Sequence, residues 1–128
     1  MKYLCLAYYD PAQFAAMPPD DMKALISQCQ PKDLELKATG QLRVSASLGE
    51  PETTIRLKPR GGKTQKIDGP FSESKELVGG FFIIEAANAE EAVKTASLHP
   101  AATLGEQASW RVDIHPIGFF EQYFGKAA

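Results

Sequence analysis

One carboxylate in a turn and one histidine at a helix end are the residues best suited to moving protons. Asp68 opens the turn Asp68-Gly69-Pro70-Phe71, after a strand and before a polar stretch from Ser72 to Glu76. A carboxylate at a strand end beside apolar Phe71 loses hydration, which makes it a better general base. The same residues also make a self-sufficient turn. Asp accepts backbone hydrogen bonds, Gly relaxes the backbone and Pro fixes φ. His99 is the second candidate, because imidazole exchanges protons near neutral pH. A cation at a helix C-terminus is the plainer account of it. His115 precedes Pro116 at a strand end and reads as structural.

Substrate-binding candidates are Arg56, Phe71, Arg111 and Tyr8. An arginine on a covered sheet face can grip a substrate carboxylate by two hydrogen bonds. A cross-strand ion pair is the simpler use of Arg56 and Arg111, with Glu85 and Asp113 also on strands. Tyr8, Phe71 and Phe82 either wall a pocket or fill the core. Two histidines without a neighbouring Cys or carboxylate pattern give little reason to expect a metal. Gly61-Gly62 and Gly79-Gly80 lack the spacing and following helix of a phosphate loop, and no Ser or Cys nucleophile motif is visible. No cofactor is expected.

The chain has 128 residues, 44% apolar and 23% charged, with a net charge of −2. One compact domain over residues 1–128 follows, large enough for its own core. Without a basic excess, nucleic acid is an unfavoured partner. The cations Lys58, Arg60 and Lys63 flank a glycine turn and read as a solvated hairpin tip. Cys5 and Cys29 sit at apolar positions with no metal or redox spacing, so two reduced thiols and a cytoplasmic location are expected. The apolar run Tyr3 to Tyr9 is too short to span a membrane or to serve as a secretory signal.

The elements that must position these groups follow from periodicity and punctuation. Lys2 to Tyr9 reads as a strand, apolar on both faces and closed by Asp10-Pro11. A helix follows Pro18-Pro19, with Asp20 as cap and Met22, Leu25, Ile26 and Cys29 as its apolar stripe. Pro31 predicts a kink or break before more helix to about Ala38, and Gly40 a left-handed stop. Leu42 to Ser47 is a strand. Thr53–Lys58 and Lys63–Ile67 form a hairpin about Gly61-Gly62. Gly79 to Ala86 is a strong strand. Asn88 and Glu91 make a capping box for a helix striped by Ala89, Ala92, Val93 and Ala96, ended by His99-Pro100. Ser109 to His115 is the last strand, and an aromatic tail runs from Ile117 to Phe124.

This order makes two βαβ-like halves around an inserted hairpin. It predicts an α+β fold, a ferredoxin-like sandwich with helices on one sheet face. The uncovered face and the aromatic tail leave more apolar surface than a monomer usually exposes. A homodimer that packs sheet on sheet would bury it.

The block Asp68 to Glu76, followed by Val78-Gly79-Gly80-Phe81-Phe82-Ile83-Ile84-Glu85-Ala86, resembles the signature of the DGPF or YCII-related family of small bacterial proteins. The hairpin Arg56 to Lys63, the helix Glu90 to Leu98 before His99-Pro100, and the closing His115-Pro116-Ile117 fit as well. The resemblance implies a ferredoxin-like sandwich forming a dimeric α/β barrel. It also implies a His–Asp pair in a cleft, the Asp corresponding to Asp68 and the His lying on the first helix. No histidine occurs between residues 18 and 40. His99 then stands in for it, meeting Asp68 across the cleft or from the dimer partner.

Two functions remain open at this point. One is a cofactor-free enzyme in which Asp68, aided by His99, moves a proton on a small carbonyl-bearing molecule. The other is a non-catalytic domain that binds a small ligand or serves regulation.

Overall fold

The computed structural model describes residues 1–71 and 73–125, so Ser72 of the signature block lies outside the described residues. The strands are β1 (Lys2–Tyr9), β2 (Leu42–Ser47), β3 (Ile55–Arg60), β4 (Lys63–Asp68), β5 (Leu77–Glu85) and β6 (Arg111–Pro116). The helices are α1 (Pro11–Ala15), α2 (Pro19–Ala38), α3 (Ala89–Ala96) and α4 (Pro100–Thr103). The fold is α+β. Four strands form one sheet in the order β2-β5-β1-β6, and every neighbouring pair is antiparallel. β3 and β4 form a separate two-stranded sheet.

The period-2 rule explains which face is buried. Tyr3 pairs with Ile84 and Cys5 with Phe82, so these four point to one side. All four are buried, together with Leu36, Ala86, Ala92 and Ala96. Small residues at 92 and 96 let α3 lie close to the sheet. Val93, expected on that stripe, is 55% exposed, and Thr95 is buried instead. The opposite sheet face carries Leu4, Leu6, Phe81 and Ile83, each only half-buried.

Two local expectations hold. The hairpin turn has φ of +59° at Gly61 and +78° at Gly62, the pair of positive values that a two-residue primed turn requires. Asn88 caps α3 by accepting from the Glu91 N–H, while Glu91 reaches back to the Ala87 N–H. The glycine of Asp68-Gly69-Pro70 is required by space. Its N–H donates to the Thr54 carbonyl, and a Cβ there would lie 2.7 Å from that same oxygen.

Four others are corrected. α2 runs through Pro31 without a break, although the proline deprives the Ser27 carbonyl of a donor. Asp20 is not its cap. Pro18 precedes the helix, Pro19 fills the first position, and Asp20 and Asp21 sit in the first turn, where negative charge suits the positive helix end. Ile26 is 60% exposed, so the buried stripe of α2 passes through Leu25 and Leu36 instead. Finally, Asp10-Pro11 ends β1 but also starts α1. The Asp10 carboxylate accepts from the Ala12 and Gln13 N–H groups at 2.9 and 3.2 Å.

Candidate active site

α2 is pinned at two points. Leu25 is buried toward its N-terminal half and Leu36 joins the core near its end. Between those pins the helix and the sheet enclose a cavity of about 500 Å³. Cys29 and Asp33 of α2 line it, at four-residue steps from Leu25. Steps of four residues stay on one helix face. Asp33 therefore occupies the stripe that packing would give to an apolar residue.

The far wall comes from the ends of the strands. β1 and β5 slip register between Ala7 and Tyr8, so Gly79 is skipped, and the Tyr9 ring lies close above it. Such irregularities re-aim side chains at strand ends. Tyr9, Phe14 and Trp110 give the cavity its aromatic lining, and Tyr8 and Phe81 border it from the sheet. Phe14 of α1 stacks on Trp110 at 6.4 Å and meets Tyr9 edge-on at 6.0 Å, which ties α1 to the cavity end. Trp110 in turn needs Gly105. A Cβ at 105 would come within 2.1 Å of the indole, and φ there is +71°.

His99 also lines this cavity. Its ring lies parallel to Phe82, with centroids 4.5 Å apart and planes at 4°. The sequence places it after α3, but its hydrogen bond belongs to the next helix. Nδ1 accepts from the Ala101 N–H at 3.0 Å, so His99 is the N-cap of α4 and Pro100 its first residue. An accepting Nδ1 carries no proton, which leaves the ring proton on Nε2. Burial lowers the pKa of His99 below its ordinary 6.5, against a smaller upward pull from the Asp33 carboxylate. Cys29 is held as a thiol. It donates to the Leu25 carbonyl, and burial, then the Asp33 charge, raise its pKa. Among the described residues Asp33 has no ion-pair partner.

The other sequence candidates assemble elsewhere. Arg56 stacks on Phe71 at 3.8 Å and pairs with Glu73 at 2.5 Å. Arg111 stacks on Tyr8 at 4.0 Å and pairs with Glu76 and Asp113. The four binding candidates thus form two arginine-on-aromatic pairs, each arginine already held by a carboxylate. Of these residues only Tyr8 lines the cavity. Asp68 ends β4, with its side chain 76% exposed and paired to Lys66 at 3.6 Å. Within one protomer the structure does not bring Asp68 and His99 to one cavity.

The family model of the YCII-related domain matches residues 1–113. The chain belongs to the YCII-related family. An uncharacterised protein of Rhizobium meliloti (strain 1021) is 28% identical over 96 residues, covering 75% of this chain and 77% of that protein. The signature block of this YCII-related chain builds the connection from β4 to β5 and the inner strand β5, while Asp33 and His99 of the cavity come from α2 and the α3–α4 junction.

Asp33 was missed because the helical stripe was ended at Cys29, before the expected kink. Extending Cys29 by four and by seven residues gives Asp33 and Leu36, a carboxylate among apolar positions. No helix among the described residues is long and apolar enough to cross a membrane.

The lowered pKa of His99 carries a pH dependence. The unfolded chain takes up this proton near pH 6.5, while the folded chain resists it. The unfolded state therefore binds more protons below that pH, and stability falls as pH falls. Thermal unfolding of wild type should weaken more steeply below about pH 6.5 than that of His99→Gln. Parallel curves for the two proteins would refute this.

Proposed function

We propose that this YCII-related protein is a cofactor-free enzyme that performs proton transfer on a small organic molecule held between α2 and the sheet. One observation carries the reading. A carboxylate without an ion-pair partner among the described residues and a desolvated, oriented imidazole line one aromatic-walled cavity. Its volume lies in the range of small-molecule sites. His99, its proton affinity lowered by burial, shares the cleft with a carboxylate, and such a pairing suits acid–base work.

Trp110 supplies the test, since it is the single tryptophan of the chain and it lines the cavity. In a screen of small carbonyl compounds, a ligand of this site should change the indole emission and slow alkylation of Cys29. Ligands that stabilise the fold while leaving both signals untouched would place the site elsewhere.

The functional unit in this proposal is a homodimer of ferredoxin-like protomers closing into an α/β barrel. The strand order β2-β5-β1-β6 with two interleaved crossovers supports the protomer fold. The half-exposed Leu4, Leu6, Phe81 and Ile83, with Phe119 and Tyr123 80% and 82% exposed in the tail, support a second copy on the open sheet face. Asp68 takes part in this reading only when the partner carries it to the cavity. A single-chain mass in dilute sedimentation, with unchanged turnover of Asp68→Asn, would remove both the dimer and Asp68. The two free thiols suit a reducing compartment such as the cytoplasm, which cell fractionation would check.

A further inference from the structure

We infer that His99 works as a permanently neutral hydrogen-bond donor through Nε2 and that Asp33 is the base, so that the cavity takes carbonyl compounds with an acidic neighbouring C–H and an apolar or aromatic body. This rests on the proposed proton-transfer function and divides its labour.

The division follows from the cap. Protonating Nδ1 would break its bond with the Ala101 N–H and leave the N-terminus of α4 without its side-chain cap. Phe82 stacked on the imidazole fixes the ring plane, and a half-turn within that plane would put Cδ2 where Nδ1 now accepts from the Ala101 N–H. His99 therefore resists taking a proton, and Nε2–H remains as the donor for a bound molecule. A neutral imidazole donor suits an oxygen that gains negative charge during reaction. It offers nothing to a group that must be deprotonated. The groups that face His99 are Phe82 from β5, the backbone of α4 and the Asp33 carboxylate from α2.

Asp33 supplies the complementary function. It is the carboxylate lining the cavity, and it lacks an ion-pair partner among the described residues. Cys29 beside it keeps its proton and donates to Leu25. The step balances without any co-reactant. The Asp33 carboxylate takes a proton from the carbon next to the carbonyl. The C–H electron pair becomes the new C=C bond, and the carbonyl π pair moves to oxygen. That oxygen accepts from His99 Nε2–H. Asp33 then returns the proton to the same carbon or to another position of the conjugated system, giving exchange or isomerisation. The aromatic lining selects the body of the substrate.

Two measurements on the full chain test this. Long-range proton–nitrogen NMR on uniformly labelled protein, with His115→Gln to assign the signals, should show His99 Nδ1 unprotonated and Nε2 protonated at neutral pH. The reversed tautomer would overturn the donor role. Proton NMR in heavy water, with phenylacetone as probe, should show enzyme-accelerated exchange at the carbon next to the carbonyl. Asp33→Asn should lose at least about 100-fold of that acceleration. No acceleration by wild type, or equal acceleration by Asp33→Asn, would overturn the substrate class or the base. If either occurs while small carbonyl compounds still perturb Trp110, this inference fails and the binding cavity stands. If no compound perturbs Trp110, the proposed function itself fails.

Discussion

Replacing Phe82 by alanine is expected to destabilise the fold by about 3–5 kcal/mol. The ring is fully buried at the centre of β5, opposite Cys5, and is the largest side chain of the core to be so enclosed. Its loss removes both its own burial and the packing of its neighbours, and the surrounding sheet cannot collapse to fill the gap. A domain is stable by only about 5–15 kcal/mol, so this one change takes a large share. It also reaches the site, because His99 rests flat on that ring. Denaturant unfolding should show the loss, and the His99 ring signals should broaden or shift in the same variant. Phe82→Leu, which keeps most of the volume, should cost far less. A loss below about 1 kcal/mol for Phe82→Ala would mean that the β5 centre is not the core described here.

Replacing Asp33 by asparagine is expected to lower turnover by about 10²–10⁴-fold, the range for removing a general base. The same change should leave stability unchanged or raise it. Asp33 lies half-buried on the sheet-facing stripe of α2 without an ion-pair partner among the described residues, so the change to an amide there breaks no ion pair described. Asp33→Leu makes the contrast sharper: a higher melting temperature with no turnover. A structural Asp33 predicts the opposite pattern, lower stability with activity following it down. Activity and thermal melts on the two variants separate these outcomes.

Much of the fold was legible because its signals are local. The apolar run of β1, the alternation in β6, the glycine pair at 61 and 62, and the Asn88–Glu91 box each specify their element from a few neighbouring residues. What was not legible involved residues that signal two things at once. Asp10-Pro11 marks the end of a strand and equally the start of a helix, and α1 was lost to the first meaning. His99-Pro100 marks the stop of α3 and also the cap and first residue of α4. Pro31 weakens a helix by one hydrogen bond, and packing at Leu25 and Leu36 carries α2 past it. Stopping the apolar stripe at Cys29, before the expected kink, hid Asp33, four residues further on the same face.

The site was half legible for a related reason. His99 was identifiable by residue type, and it lines the cavity. Its chemical state was not, since the accepting Nδ1 depends on where Ala101 lies. Asp68 drew attention through its turn motif. The geometry of Gly69 against Thr54 shows how much of that motif the hairpin itself requires. Arg56 and Arg111 were read as free to bind substrate or to pair across strands. Each instead stacks on an aromatic ring, with carboxylates supplied from the segment between β4 and β5.

The most direct test is a crystal structure of the protein soaked with phenylacetone. The ligand should sit between α2 and the sheet, with its oxygen in hydrogen-bond reach of His99 Nε2 and its adjacent carbon beside the Asp33 carboxylate. A ligand bound at the hairpin next to Asp68, with the α2 cavity left empty, would contradict the account.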